Sequence, residues 1–140
     1  MRRPFFFALA AMLLVGLAAC PKSEPEPDPS PSPAPSRIGS TATVSILEPA
    51  TGAVIQGSEV RVRISLTGGR IVEQVSTNLK PDEGHVHLVL DGVVVQLLGS
   101  LDETIKDVTK GPHLLQVEFV AADHGPFSPR VLAAVSITTA

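Results

Sequence analysis

Between residues 59 and 66 the chain reads EVRVRISL, an alternation with a period of two. Val60, Val62, Ile64 and Leu66 fall on one face and Arg61 and Arg63 on the other. Only a strand gathers those four apolar residues on one side, because a helix would scatter them around its axis. Similar short runs place strands at 42–47, 59–66, 85–90, 93–98, 104–108, 114–122 and 131–138. PATG from Pro49 and LTGG from Leu66 supply turns, and the Asp-Gly pair in LDGV from Leu90 favours a two-residue hairpin. No stretch carries helical periodicity. About seven short strands with this punctuation predict an all-β fold, an immunoglobulin-like antiparallel β-sandwich. The Cys and Trp marks of antibody domains are missing, since the chain has no Trp and one Cys.

The first twenty residues have a different character. Arg2 and Arg3 precede an unbroken apolar stretch from Phe5 to Ala19, which ends in small residues before Cys20. This is the layout of an export signal. As a helix the stretch would rise roughly 22 Å, short of the ~30 Å hydrocarbon core that a permanent span must cross. Leu17-Ala18-Ala19-Cys20 resembles the lipobox of bacterial lipoproteins. The resemblance implies cleavage before Cys20, lipid on its sulfur and new amino group, and a membrane-anchored protein of the periplasm or cell surface. Two or more acyl chains give lasting attachment where one is marginal.

PKSEPEPDPSPSPAPSR follows, from Pro21 to Arg37, with proline at nearly every second position and no large apolar residue. Such a run cannot offset the entropy of folding. As polyproline II it would reach roughly 50 Å. The expected division is therefore a signal peptide at 1–19, a lipidated Cys and Pro-rich linker at 20–37, and a β-sandwich domain at 38–140.

Without the signal the chain carries nine basic and fourteen acidic residues, a net charge of −5 with neutral histidines. That balance argues against nucleic acid as partner. Cys20 is the single cysteine, so no intramolecular disulfide forms and the domain relies on its core.

All four histidines lie between His85 and His124. The domain has no Met or Cys, so any transition metal would be held by imidazole and carboxylate, a set that suits Zn(II) or Cu(II). His113 and His124 bracket one strand and stand roughly 30 Å apart at ~3.3 Å per residue. If the strand at 85–90 runs antiparallel to that at 114–122, however, His124 approaches His85 and His87. With Val86, Leu88 and Leu90 inward, His85 and His87 face outward. With Leu115, Val117 and Phe119 inward, Gln116, Glu118 and His124 form the matching outer series. The candidate metal site is thus His85, His87 and His124, completed by Asp123, Asp82 or Glu83. The plainer alternative is that the imidazoles orient loops or simply face solvent.

EPATGAVIQGSEVRVRISLTG, GHVHLVLDG and GPHLLQVEFVAADHGPFSPRV together resemble a family of exported bacterial domains of unknown function. Its members carry a P-x-x-G-A-x-V opening, then GHHHL, PPG-x-H-T-L-Q-L and D-x-x-H-x-P followed by P-P-V. The motifs fall on His85, His87, Leu88, Gly111, His113, Leu115, Gln116, His124, Pro126, Pro129 and Val131. Val86 stands where the family has its middle histidine, and Lys110 replaces one proline. The resemblance implies a periplasmic or surface β domain with patterned histidines and brings no established activity. For His113, away from the trio, the expected role is structural, holding the loop TKGPH from Thr109.

No Ser, Cys or Thr sits in a recognisable nucleophile turn beside a base, so the sequence does not point to an enzyme. It points to a lipid-anchored binding or interaction module whose exposed sheet face, bearing Val89, Leu114, Val120 and Leu132, meets another envelope protein. Zn(II) or Cu(II) binding by the histidine cluster is the alternative.

Overall fold

A computed structural model of the chain describes residues 36–140. The expected signal peptide, Cys20 and the expected linker as far as residue 35 lie outside the described residues. Nine strands follow in order: β1 Thr43–Glu48, β2 Ala53–Ile55, β3 Val60–Thr67, β4 Arg70–Ile71, β5 Glu83–Leu90, β6 Val93–Leu98, β7 Asp102–Ile105, β8 Gly111–Ala121 and β9 Pro126–Thr139. They form a three-stranded sheet, β1-β3-β7, and a six-stranded sheet, β2-β9-β8-β5-β4, in which β6 also pairs with β5. There is no helix among the described residues. The chain is an immunoglobulin-like β-sandwich.

The alternation in the sequence becomes the core. Val60, Val62 and Ile64 of β3 face Val86 and Leu88 of β5, Leu115, Val117 and Phe119 of β8, and Ile137 of β9 across the two sheets, all at most 3% exposed. Phe119 and Phe127 stack with centroids 5.5 Å apart. Asp91 and Gly92 make the two-residue β5–β6 turn with positive φ at both positions, 52° and 84°, the geometry for which Asp-Gly is suited.

Three readings need correction. Besides the seven expected strands there are two short ones, β2 and β4, and these pair in parallel with β9 and β5. Both are too short to show periodicity. The expected strand at 104–108 runs instead from Asp102 to Ile105, where Val60 to Arg63 of β3 supply its ladder. Val120, expected on the exposed sheet face, is 2% exposed. It keeps the outward parity of Gln116 and lies between His85 of β5 and Pro126 of β9, at the rim where the outward-facing His85 and Glu118 are buried as well.

Candidate functional site

The antiparallel β5–β8 ladder pairs His85 with Val120 and His87 with Glu118, so the start of β5 meets the end of β8. The turn after β8 then carries His124 back over β5. Its backbone is closed by His124 N–H donating to Ala121 O and by Ala121 N–H donating to Gly125 O, each at 2.9 Å. His124 has φ 61°, a left-handed conformation that glycine or asparagine adopts more cheaply. A histidine kept there despite that cost brings its ring to both β5 histidines.

Gly84 makes the approach possible. A Cβ at this position would stand 1.9 Å from the carbonyl oxygen of Val120, so only glycine lets β5 run this close to β8 immediately before His85.

The three rings meet in two ways. His85 and His124 stack, with centroids 4.1 Å apart and planes 6° from parallel. His87 and His124 meet edge on, with Nε2 of one 3.0 Å from Nδ1 of the other. Since one nitrogen must donate and the other accept, a single proton bridges them. His85 Nε2 donates to the carbonyl of Ala122 at 3.2 Å. His85 is 8% exposed although its parity is outward, because the ring of His124 covers it. Burial lowers the pKa of His87, and the neighbouring imidazoles of His124 and His85 lower it further against the opposing pull of Glu118.

A metal ion lies in the plane of each imidazole that binds it, so two rings stacked at 4.1 Å cannot share one. Among the described residues no group of three His, Cys, Asp or Glu is arranged to hold an ion. The proposed carboxylates are also engaged elsewhere. Asp123 accepts from Arg37 Nη1 and Nη2 at 2.7 Å each, and this guanidinium holds its carboxyl far below the usual range. Glu83 pairs with Arg70 and, at 2.6 Å, with Lys80, while Asp82 stands 3.8 Å from Arg70. Asp123, Asp82 and Glu83 are therefore not part of a ligand set in this arrangement.

His113 lies at the other end of β8. Its Nδ1 donates to Asp91 Oδ2 and its Nε2 to the carbonyl of Thr109, both at 2.7 Å. Asp91 also accepts the N–H of Leu114 at 2.8 Å. The ring thus holds the TKGPH loop and, in addition, the β5–β6 turn. With acceptors on both sides its charged form is favoured and its pKa is raised.

Sequence reasoning misses three partners. Composition assigns Arg37 to the linker, although it is the one basic residue after a run of Ser, Pro and Ala. Asp91 reads only as a turn residue. The register that brings His124 to His87 also brings Asp91 beside Leu114 at the far end of the same ladder, and that pairing is its sequence signal. Glu118 falls on the outer face without any sign of its partner Arg130, whose Nε and Nη2 donate to it at 2.7 and 2.5 Å.

The outer face carries one apolar strand that stands apart. Along β6, Val93, Val94, Val95 and Leu97 are 64, 51, 43 and 57% exposed. The strand pairs only with β5, which leaves its outer edge open among the described residues. Of the expected face residues, Leu114 and Leu132 are exposed and Val89 is half-buried.

Fold and surface together define a β-sandwich module with an imidazole cluster on one rim and an apolar edge strand. The chain matches no protein-family model and no curated protein sequence. Among solved structures it is similar to the fibronectin(III)-like modules of Clostridium thermocellum CbhA, with 16% identity over 69% of this chain and 96% of that one and a TM-score of 0.47. It is also similar to the PKD domain of human KIAA0319, with 14% identity over 79% of this chain and 90% of that one and a TM-score of 0.41.

Proposed function

We propose that this chain is a lipid-anchored envelope protein, periplasmic or at the cell surface, whose sandwich works by binding and not by catalysis. In this reading Cys20 carries the lipid, the Pro-rich linker carries the domain to its partner, and the chain belongs with the exported bacterial domains that its histidine motifs resemble. The observation that carries it is β6. An uncharged apolar strand with an open edge is a liability that soluble proteins usually blunt with charge, proline or brevity, and it is retained where another protein covers it. The test is photo-crosslinking in native membranes from Leu97 or Val94 of the intact lipoprotein. A discrete adduct is expected, absent when the crosslinker is moved to Asp102 on β7. Equal labelling from both strands removes the reading.

A second reading, binding of Zn(II) or Cu(II), rests on the 3.0 Å between His87 Nε2 and His124 Nδ1. An ion that displaced the bridging proton would need those nitrogens to open to about 3.3 Å, given Zn–N bonds of about 2.0–2.1 Å in a tetrahedral site. Titration with each metal alone, followed through the imidazole NMR signals, is expected to shift His87 and His124 together. Equal metal uptake by the His87→Gln variant eliminates this reading.

A further inference from the structure

The sheet has a gap along the edge of β5 that faces away from β8. On that side β4 stops at Ile71, opposite Gly84, and β6 stops at Leu98, opposite Val86, so His85 lies between the two ends. The gap opens on a cavity of about 300 Å³ lined by Ile71, Val72, Glu73, Leu97, His85 and His124.

The ring of His85 is fixed at this gap. Its Nε2 donates to the carbonyl of Ala122, just beyond the end of β8, and the same carbonyl accepts the N–H of Ser76 at 3.0 Å. The two nitrogens of an imidazole point in nearly opposite directions, so Nδ1 is turned away from β8 and toward the cavity. In the neutral ring a proton on Nε2 leaves a lone pair on Nδ1. Nδ1 has no partner among the described residues, where no buried side-chain nitrogen or oxygen goes unsatisfied, so this atom reaches solvent.

Glu73 supplies the second polar group. Asp123, Glu83 and Glu118 at the same rim are held by Arg37, by Arg70 and Lys80, and by Arg130. Glu73 has no cation beside it among the described residues. A lone pair and a free carboxylate both call for a positive donor, and the apolar sides call for hydrocarbon. We propose that the cavity binds a primary alkylammonium, whose N–H groups donate to His85 Nδ1 and to the Glu73 carboxylate while its chain lies against Ile71, Val72 and Leu97. A bare metal ion would satisfy the two polar groups and leave the apolar sides and most of the volume unused. The site does not involve the His87–His124 bridge and goes beyond both readings above.

Titration of the mature chain, carrying Cys20→Ser, with n-butylammonium tests this by NMR. Saturable amide shifts are expected at Val72, Glu73 and Gly99, which line the cavity, and the His85 Nδ1 resonance moves as its lone pair accepts a donor. Glu73 is exposed, so Glu73→Gln keeps the fold. That variant weakens binding about threefold or more, and n-butanol, with the same chain and no charge, binds the wild type more weakly by about the same factor. Nα-acetyl-lysine methylamide carries the same group on a peptide: tighter binding than n-butylammonium assigns the ligand to a lysine of another protein, and weaker binding to a free amine. No saturable shift at these residues overturns the inference, as does equal binding of n-butanol or an unchanged affinity in Glu73→Gln. Zn(II) alone moving the same signals where n-butylammonium moves none makes this a metal site and overturns it as well.

Discussion

His87 Nε2 lies 3.0 Å from His124 Nδ1, close enough for one bridging proton and too close for two. Protonating both rings fully would set two N–H groups head to head. His87 accordingly has a lowered pKa, from burial first and then from its imidazole neighbours. A group with a depressed folded pKa stabilises the protein above its unfolded value, about 6.5, and that stability is lost as the pH falls through the folded value. Urea midpoints measured from about pH 7.5 down to about pH 5 should therefore decline, and decline less in His87→Gln. Identical slopes would remove His87 from the account.

His113 should show the opposite sign. Its pKa is raised by Asp91 and by the Thr109 carbonyl, so its contribution is complete below about pH 6.5 and disappears as the pH rises through the folded value. Asp91, lowered by the same contact, withdraws its share only as acid protonates the carboxylate. Replacing His113 by Ala removes two hydrogen bonds to a largely buried ring and should cost roughly 1–3 kcal/mol at about pH 6, with a smaller loss at about pH 8. Denaturant curves at the two pH values check this.

Gly84→Ala should be among the costliest single changes in the domain. Its methyl would collide with the Val120 carbonyl, which is backbone and cannot rotate away, so β5 and β8 must part. A loss of about 3 kcal/mol is expected, at the upper end for overpacking, together with loss of the His87–His124 bridge in NMR spectra. An unchanged bridge would show that β5 can shift without disturbing the rim.

The domain begins earlier than its apolar pattern suggests. Arg37 donates to Asp123 with two nitrogens and to the Pro126 carbonyl with a third at 2.9 Å. Arg37→Ala should release residues 36–40 and loosen the 121–125 turn, seen as faster amide exchange at Gly125 and Ser128. Exchange confined to residues 36–38 would mean that the turn stands without the clasp.

Much of this is legible in the sequence because β structure writes itself in periods of two. The alternation from Val60 to Leu66 identifies β3 and its buried face, and the Asp-Gly pair at 91–92 identifies the hairpin. Parity and an antiparallel register are enough to bring His124 to His85 and His87. What parity cannot supply is ring orientation. Whether imidazoles stack or converge depends on side-chain torsions and on the left-handed backbone at His124, neither of which leaves a period. The fate of Asp123 is hidden for another reason: its partner Arg37 is 86 residues away, within a segment that composition assigns to the linker. Val120 misleads because parity gives the face and not the cover: it points outward at a rim whose outward residues, His85 and Glu118 among them, are buried.

The Arg37–Asp123 clasp stands ahead of β1 in the chain and grips the turn that carries His124. Tension arriving from the N-terminal side is therefore borne first by that ion pair and by the 121–125 turn, and only after they yield by the edge ladder between β1 and β3. A pull applied at residue 36 would disturb the histidine rim before it began to unzip a sheet.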